Sequence, residues 1–190
     1  MSEGCFNVKH HVAKLDDEGR LKELRPYELL KDMAEVRAGM VCVDFGSGTG
    51  VFALPMADIV GNQGKVYAVD RSTEMHAHSQ AKKPPANLIL VESDVQRTGL
   101  DSHIADVCLL AFILHEVKQP ATLMAEATRL LKPKGKLVIV EWRADSVLRG
   151  PPQSKRITQG QIEELFKQAD LSLAEYREWS VNHYVATGKH

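Results

Sequence analysis

The chain has 190 residues, 44% of them hydrophobic and 26% charged, enough for one well-buried domain and short for two. Its formal net charge of −1 provides no global positive field to gather nucleic acid or an anionic membrane, so a small-molecule partner is the default. The longest uninterrupted apolar run, 107–114, is far below the roughly 20 residues of a membrane span, and the first five residues hold no apolar leader segment.

Residues 1–25 are polar, with Lys9, His10, His11 and Lys14 ahead of Asp16, Asp17 and Glu18. They show no sustained apolar period and read as a flexible arm or lid. Pro26 opens a helix over 26–36 whose apolar face is Leu29, Leu30, Met33 and Val36, with Gly39 just beyond its end. A short apolar strand, 41–45, then runs into a turn with glycines at alternate positions: Gly46, Gly48 and Gly50, with Ser47 between the first two. Such glycines let the backbone take positive φ and approach a ligand closely. A helix starting at 51–57 would point its free N–H groups at the same turn.

The turn at 61–64 separates this helix from a second buried strand, 65–70, which ends in the carboxylate of Asp70, and the three elements form a βαβ unit. Ser72 caps a helix over 73–82, closed by Pro84 and Pro85. A third strand over 87–92 leads to Asp94 and Val95, and a fourth covers 105–112. A helix over 120–131 is stopped by Pro133 and Gly135, and a fifth strand spans 136–142. After a rigid loop at 149–152 come a helix over 159–169 and two strand-like runs, 171–179 and 182–187, suited to a hairpin on the sheet's edge. The alternation predicts a doubly wound α/β fold in a single domain, 1–25 being the arm and 26–190 a Rossmann-like core. Cys42 and Cys108 fall in strand-like runs, as reduced core thiols of a cytoplasmic protein do, and Cys5 reads as an exposed bystander.

The glycine spacing separates candidate ligands. A dinucleotide turn wants a third small residue below the pyrophosphate, where this chain has Val51. Asp70 stands 20 residues after Gly50, about where an acid meets ribose hydroxyls in βαβ nucleotide sites. Arg71 beside it suits a 2′-phosphate instead and keeps NADP open as an alternative. Open α/β sheets bind ligands beyond the carboxyl ends of their strands. His115 and Glu116 after the fourth strand, and Glu141 at the end of the fifth, are therefore the candidate proton acceptors, His115 first. His115 is equally suited to capping a helix or filling a gap. A metal would need clustered oxygen ligands, and His115, Glu116, Glu141 and Asp145 form only a loose set, so no metal is expected.

The pattern Asp44-x-Gly46-x-Gly48-x-Gly50, with Asp70, Asp94–Val95, the 111–117 stretch and the Leu131–Lys136 entry to the fifth strand, resembles class I S-adenosylmethionine-dependent methyltransferases along nearly the whole chain. Within that class it most resembles small enzymes allied to the ubiquinone and menaquinone C-methyltransferases. The resemblance implies a mostly parallel seven-stranded sheet with helices on both faces and an antiparallel C-terminal strand. It implies S-adenosylmethionine as cofactor, its methionine end over Gly46 and Gly48 with Asp44 holding the ammonium. Asp70 would meet the ribose, and Asp94 with Val95 the adenine, although Asp94 also suits a helix cap; Ala111 at the end of the fourth strand completes the site. Met75 reads as core rather than as a cover on the adenine. The acceptor, a small molecule, would sit among 9–25, 115–119 and 142–156, stretches with no decodable signature, where Trp142 reads as a packing residue close enough to the end of the fifth strand to line a pocket. A catalytically silent cofactor-binding module fits the same motifs. Nothing in the chain signals an oligomeric state.

Overall fold

The computed structural model describes residues 8–146 and 150–190, with side chains from Val12 onward. The expectation for Cys5 falls outside the described residues, as do the side chains of His10 and His11. The expected arm contains two helices, α1 (Val8–Leu15) and α2 (Glu18–Leu24). They escape an apolar-period search because α1 carries His10, His11 and Lys14 and α2, with 7 residues, is only about two turns long. What starts α2 is local: the Asp17 side chain accepts the Arg20 N–H at 2.9 Å, an N-cap in front of the polar segment.

α3 (Pro26–Asp32) begins on its proline as expected. The remaining elements are β1 (Val41–Phe45), α4 (Ala53–Val60), β2 (Lys65–Asp70), α5 (Thr73–Ala81), β3 (Leu88–Glu92), β4 (Ala105–Ala111), α6 (Pro120–Leu130), β5 (Leu131–Trp142), α7 (Gln159–Gln168), β6 (Ser172–Glu178) and β7 (His183–Lys189). Ser72 caps α5 through the Met75 N–H. The strand expected from residue 136 starts five residues earlier, because Leu131 already pairs with Ala105 across a bulge between Ala105 and Val107. The bulge lets the ladder run past Pro133, which has no N–H to give.

One seven-stranded sheet runs β3-β2-β1-β4-β5-β7-β6. All neighbours from β3 to β5 are parallel, and β7 is antiparallel to both β5 and β6. The expected hairpin therefore forms, with β7 slotted beside β5 and β6 on the edge. Alternate residues face opposite apolar layers, as the pleat requires. Cys42, Leu109, Val138 and Val140 pack with α3 and α4. Val43, Phe45, Cys108, Leu110 and Ile139 pack with α6 and α7. Cys42 and Cys108 are both free and buried, and they point into different layers.

Strand order reverses between β1 and β4, so the carboxyl ends of these two strands diverge and leave a crevice. The loops that follow β1, β2, β4 and β5 meet there. Two long-range clasps hold α2 over that end of the sheet. Trp179 Nε1 donates to Leu24 O at 2.7 Å, and Asp16 accepts from Thr49 Oγ1 at 2.6 Å and from Lys82 Nζ at 2.9 Å.

Candidate active site

The crevice holds a cavity of about 1420 Å³, large enough for a nucleoside-sized ligand together with a second small molecule. Its lining includes Asp44, Gly46, Ser47, Gly48, Asp70, Arg71, Asp94, Val95, Ala111, His115 and Glu116. Gly50 is the exception among the predicted residues. At φ +84°, it turns the chain into α4, and a Cβ there would meet Ser79 Oγ at 3.0 Å and Leu54 at 3.2 Å. It is a packing glycine between α4 and α5, whereas Gly46, at φ +70°, lies against Ile113, 2.9 Å from a built Cβ.

The turn is wired to β2. Gly46 N and Ser47 N both donate to Val69 O, at 2.8 and 2.9 Å. Asp70 accepts from Gly48 N through one carboxylate oxygen and from Ser72 N through the other, each at 2.9 Å. Two of the backbone donors expected to meet a ligand are thus engaged within the fold. The carboxylate of Asp70 is fixed in place by them, with lone pairs left on both oxygens.

Asp44 is 2% exposed, and its Oδ2 has no hydrogen-bond partner among the described residues. Burial, reinforced by the charge of Asp70, pushes its carboxyl up to about 7. Ser47 Oγ is likewise buried and unpartnered. A buried acceptor left without a donor is costly, and an incoming cation would satisfy Asp44.

Asp94 is exposed on the cavity rim, and its Oδ1 accepts the Gln96 N–H at 2.8 Å. The cap it forms is that of a turn, since no helix follows. Arg71 is also exposed at the rim. Met75 is buried, 4% exposed, and lines the cavity as well, so core and lining are one position here.

Beyond β4 the chain bends sharply. Phe112 takes φ 58°, a conformation that an aromatic residue adopts only when its surroundings hold it there. The following turn delivers His115, whose Nδ1 lies 2.8 and 2.9 Å from the two oxygens of Glu141 on β5. The His115 N–H also points at Glu141 Oε1, at 3.3 Å. The His115 side chain is 8% exposed and that of Glu141 1%. Burial alone would lower the imidazole pKa, but the hydrogen bond to Glu141 and its charge outweigh burial and hold it above the ordinary histidine value. Glu116, largely exposed, lies 3.8 Å from His115 Nε2. Sequence reasoning had Glu141 as a separate base candidate. The 26-residue separation concealed that it is the partner of His115.

The other wall was missed. Phe112, Trp142 and His183 group with ring centroids 5.6, 5.1 and 4.4 Å apart, and the Arg20 guanidinium stands 5.0 Å over the Phe112 ring. His183 comes from β7, paired with Trp142, and Arg20 from α2. No spacing rule connects such distant positions. Only Trp142, at a strand end, carried a signal. Asp145 is tied to Arg143 by two hydrogen bonds at 3.0 and 2.8 Å. Among the described residues no group of three histidine, cysteine or carboxylate side chains is placed to hold a metal ion.

The family described as "Methyltransferase domain" matches residues 43–139, just over half of the chain. A crystal structure of an S-adenosylmethionine-dependent methyltransferase from Aquifex aeolicus superposes with a TM-score of 0.88 at 26% identity, covering 97% of this chain and 98% of that one. The demethylmenaquinone methyltransferase of Shouchella clausii is 32% identical over 117 residues, 60% of this chain and 49% of that protein. The ubiquinone/menaquinone biosynthesis C-methyltransferase of Bordetella parapertussis is 32% identical over 111 residues, 57% and 43%. The chain thus spans less than half the length of these curated relatives. With the switch-point cavity, the glycine turn and the family match over the sheet that builds them, the chain belongs to the class I S-adenosylmethionine-dependent methyltransferase family.

Proposed function

We propose that the chain transfers the methyl group of S-adenosylmethionine to a small planar acceptor, with His115 as general base and Glu141 as its positioning residue. The observation that carries this reading is the His115–Glu141 pair at 2.8 Å in the cavity that also holds Asp44 and Asp70.

The cofactor fits what the residues leave unsatisfied. The orphaned Oδ2 of Asp44 suits the ammonium, the free lone pairs of Asp70 suit ribose hydroxyls, and Asp94 with the Val95 N–H suits the adenine edge. Gly46, Ser47 and Gly48 would hold the methionine end, and Ala111 lines the same cavity. When bound, S-adenosylmethionine supplies a sulfonium methyl that is already a strong electrophile. What remains for the protein is alignment, worth about 7–11 kcal/mol, and proton removal, worth about 10²–10⁴-fold. With the Nδ1 proton directed at Glu141, the His115 Nε2 lone pair can take a proton from the acceptor. The carboxylate then stabilises the imidazolium. Glu116 beside Nε2 offers a second, exposed carboxylate.

The aromatic wall of Phe112 and Trp142 supports a planar acceptor, in keeping with relatives named for menaquinone and ubiquinone methylation. A partner of nucleic-acid type has no support in a net charge of −1. The two buried free thiols support a cytoplasmic setting, and no helix of the described residues is long and apolar enough to cross a membrane. We read 1–190 as one domain, since one sheet spans residues 41–189. A clamped carboxylate at Asp70, where a 2′-phosphate would have to lie, argues against NADP.

Calorimetric titration with S-adenosylmethionine, S-adenosylhomocysteine and NADPH tests the cofactor assignment, and NADPH binding without a response to S-adenosylhomocysteine would overturn it. Asp70→Ala should weaken S-adenosylhomocysteine by about 1–3 kcal/mol, the cost of leaving ribose hydroxyls unpaired. A silent module would bind the cofactor and give no turnover against a panel of phenols and hydroquinones.

A further inference from the structure

We propose that His183 is a specificity-determining residue for the acceptor. Its Nε2 accepts a hydrogen bond from a hydroxyl or N–H group on the acceptor's ring, so the site selects uncharged aromatic molecules that carry such a donor. The inference rests on the methyl-transfer reading above.

His183 is 1% exposed, lines the cavity, and its Nε2 has no hydrogen-bond partner among the described residues. The network behind the ring sets its tautomer. Ser180 Oγ sits 2.7 Å from Glu23 Oε1 and 3.1 Å from His183 Nδ1, and it also receives the N–H groups of Asn182 and His183, each at 3.1 Å. A hydroxyl has one proton, and the carboxylate of Glu23 takes it. Ser180 Oγ is then only an acceptor toward Nδ1, its two lone pairs shared among three donors, and Nδ1 carries the ring proton. Glu23 Oε1 is itself 3.4 Å from Nδ1, which favours the same tautomer. Nε2 is left as a bare lone pair. Burial, with help from the Arg20 charge, lowers the imidazole pKa to about 4 in spite of Glu23, so the ring is neutral and Nε2 is an acceptor throughout the physiological range.

The surroundings limit what can approach that lone pair. Trp142 at 4.4 Å and Phe112 at 5.1 Å, centroid to centroid, flank the ring and present flat apolar surface. Arg20 covers Phe112, but Asp16, Glu23 and Asp17 already compensate its charge, so the wall offers no strong pull on an anion. A carboxylate or phenolate brought to a lone pair would be repelled. A donor hydrogen would recover the energy lost by burying an unpaired acceptor. His183 is thus distinct in role from His115, which is tied to Glu141. Strand alternation puts Trp142 and His183 on the face of Val140 and Val185, and Glu141 on the opposite one.

The test uses 1,5-dihydroxynaphthalene (the naphthol) and its monomethyl ether, 5-methoxy-1-naphthol (the ether), which share a ring and one hydroxyl for His115 and differ in the second donor. With S-adenosylhomocysteine saturating, wild-type protein should bind the naphthol about tenfold or more tightly than the ether, and His183→Phe should reduce that ratio to about one while leaving ether affinity in place. In wild-type protein, the ¹⁵N resonance of His183 Nε2 should move upfield on adding naphthol and stay put with the ether, a readout that needs no variant to fold. Equal affinities in wild type, a preserved ratio in the variant, an unmoved resonance, or no binding of either probe would each overturn the proposal. Failure of the methyl-transfer reading would show separately, as absence of S-adenosylhomocysteine binding in the first place.

Discussion

Asp44 carries two opposed requirements. Buried among apolar neighbours and facing Asp70, its carboxyl rises to about 7, well above the ordinary aspartate value near 3.9. A raised folded-state pKa means the folded form holds the proton more tightly than the unfolded one, so this group's contribution to stability falls as pH climbs from about 4 to about 7 and is level above. Asp44→Asn removes that burden. We expect it to raise the apo melting temperature by roughly 2–6 °C at pH 8, with no gain near pH 4, and to weaken S-adenosylmethionine by tenfold or more. Scanning calorimetry at several pH values and titration calorimetry check the two halves. The His115–Glu141 pair gives a second residue-scale expectation. Glu141 holds the His115 pKa up, and the basic form acts only above that pKa. Glu141→Gln should therefore move the acid limb of the kcat profile to lower pH and reduce its plateau, within the ~10²–10⁴-fold that general-base catalysis supplies. An unmoved limb would remove His115 as the base. At this scale the residues proposed to hold the cofactor could be named from the sequence, because Asp44, Asp70 and the glycines sit at spacings imposed by a strand, a turn and a helix. The pairing of His115 with Glu141 could not, because it joins two strand ends through space.

At the scale of elements, the link of interest is Asp16, between α1 and α2. It receives Thr49 Oγ1 at 2.6 Å and Lys82 Nζ at 2.9 Å, and Lys82 also donates to Thr49 O at 2.9 Å. This small network ties the first two helices to the glycine turn and to the C-terminal end of α5. Thr49 is fully buried, so Asp16→Ala strands its hydroxyl at a cost of about 1–3 kcal/mol. Hydrogen exchange should quicken by roughly tenfold or more at the amides of α2 and leave β1 and β4 unchanged. A uniform rise across the sheet would mean global destabilisation instead of a released latch. Strands and helices from α3 onward followed from apolar period, caps and proline positions. α1 and α2 did not, since their stability comes from what they touch, Asp16 at one end and the Trp179–Leu24 contact at the other.

For the molecule as a whole, the two apolar layers on either side of the sheet leave the thiols of Cys42 and Cys108 in separate cores. Burial pushes the Cys42 thiol up to about 12 and raises the Cys108 thiol as well, so neither forms a thiolate while the layers are closed. In a Cys5→Ser background, a chromogenic disulfide reagent should find no fast thiol in native protein and two after denaturation, at a rate that follows unfolding. A fast native reaction would contradict the packing. The doubly wound sheet and its glycine turn were determined by sequence alone, since they follow from the alternation of strand and helix periods and from local turn residues, and the cofactor followed from the resemblance those motifs carry. The aromatic wall of Phe112, Trp142 and His183 with Arg20, and the partner of His115, were decided only by tertiary structure. Those residues come from α2, the loop after β4, β5 and β7, and only the assembled sheet with α2 clasped over its end brings their side chains to one cavity.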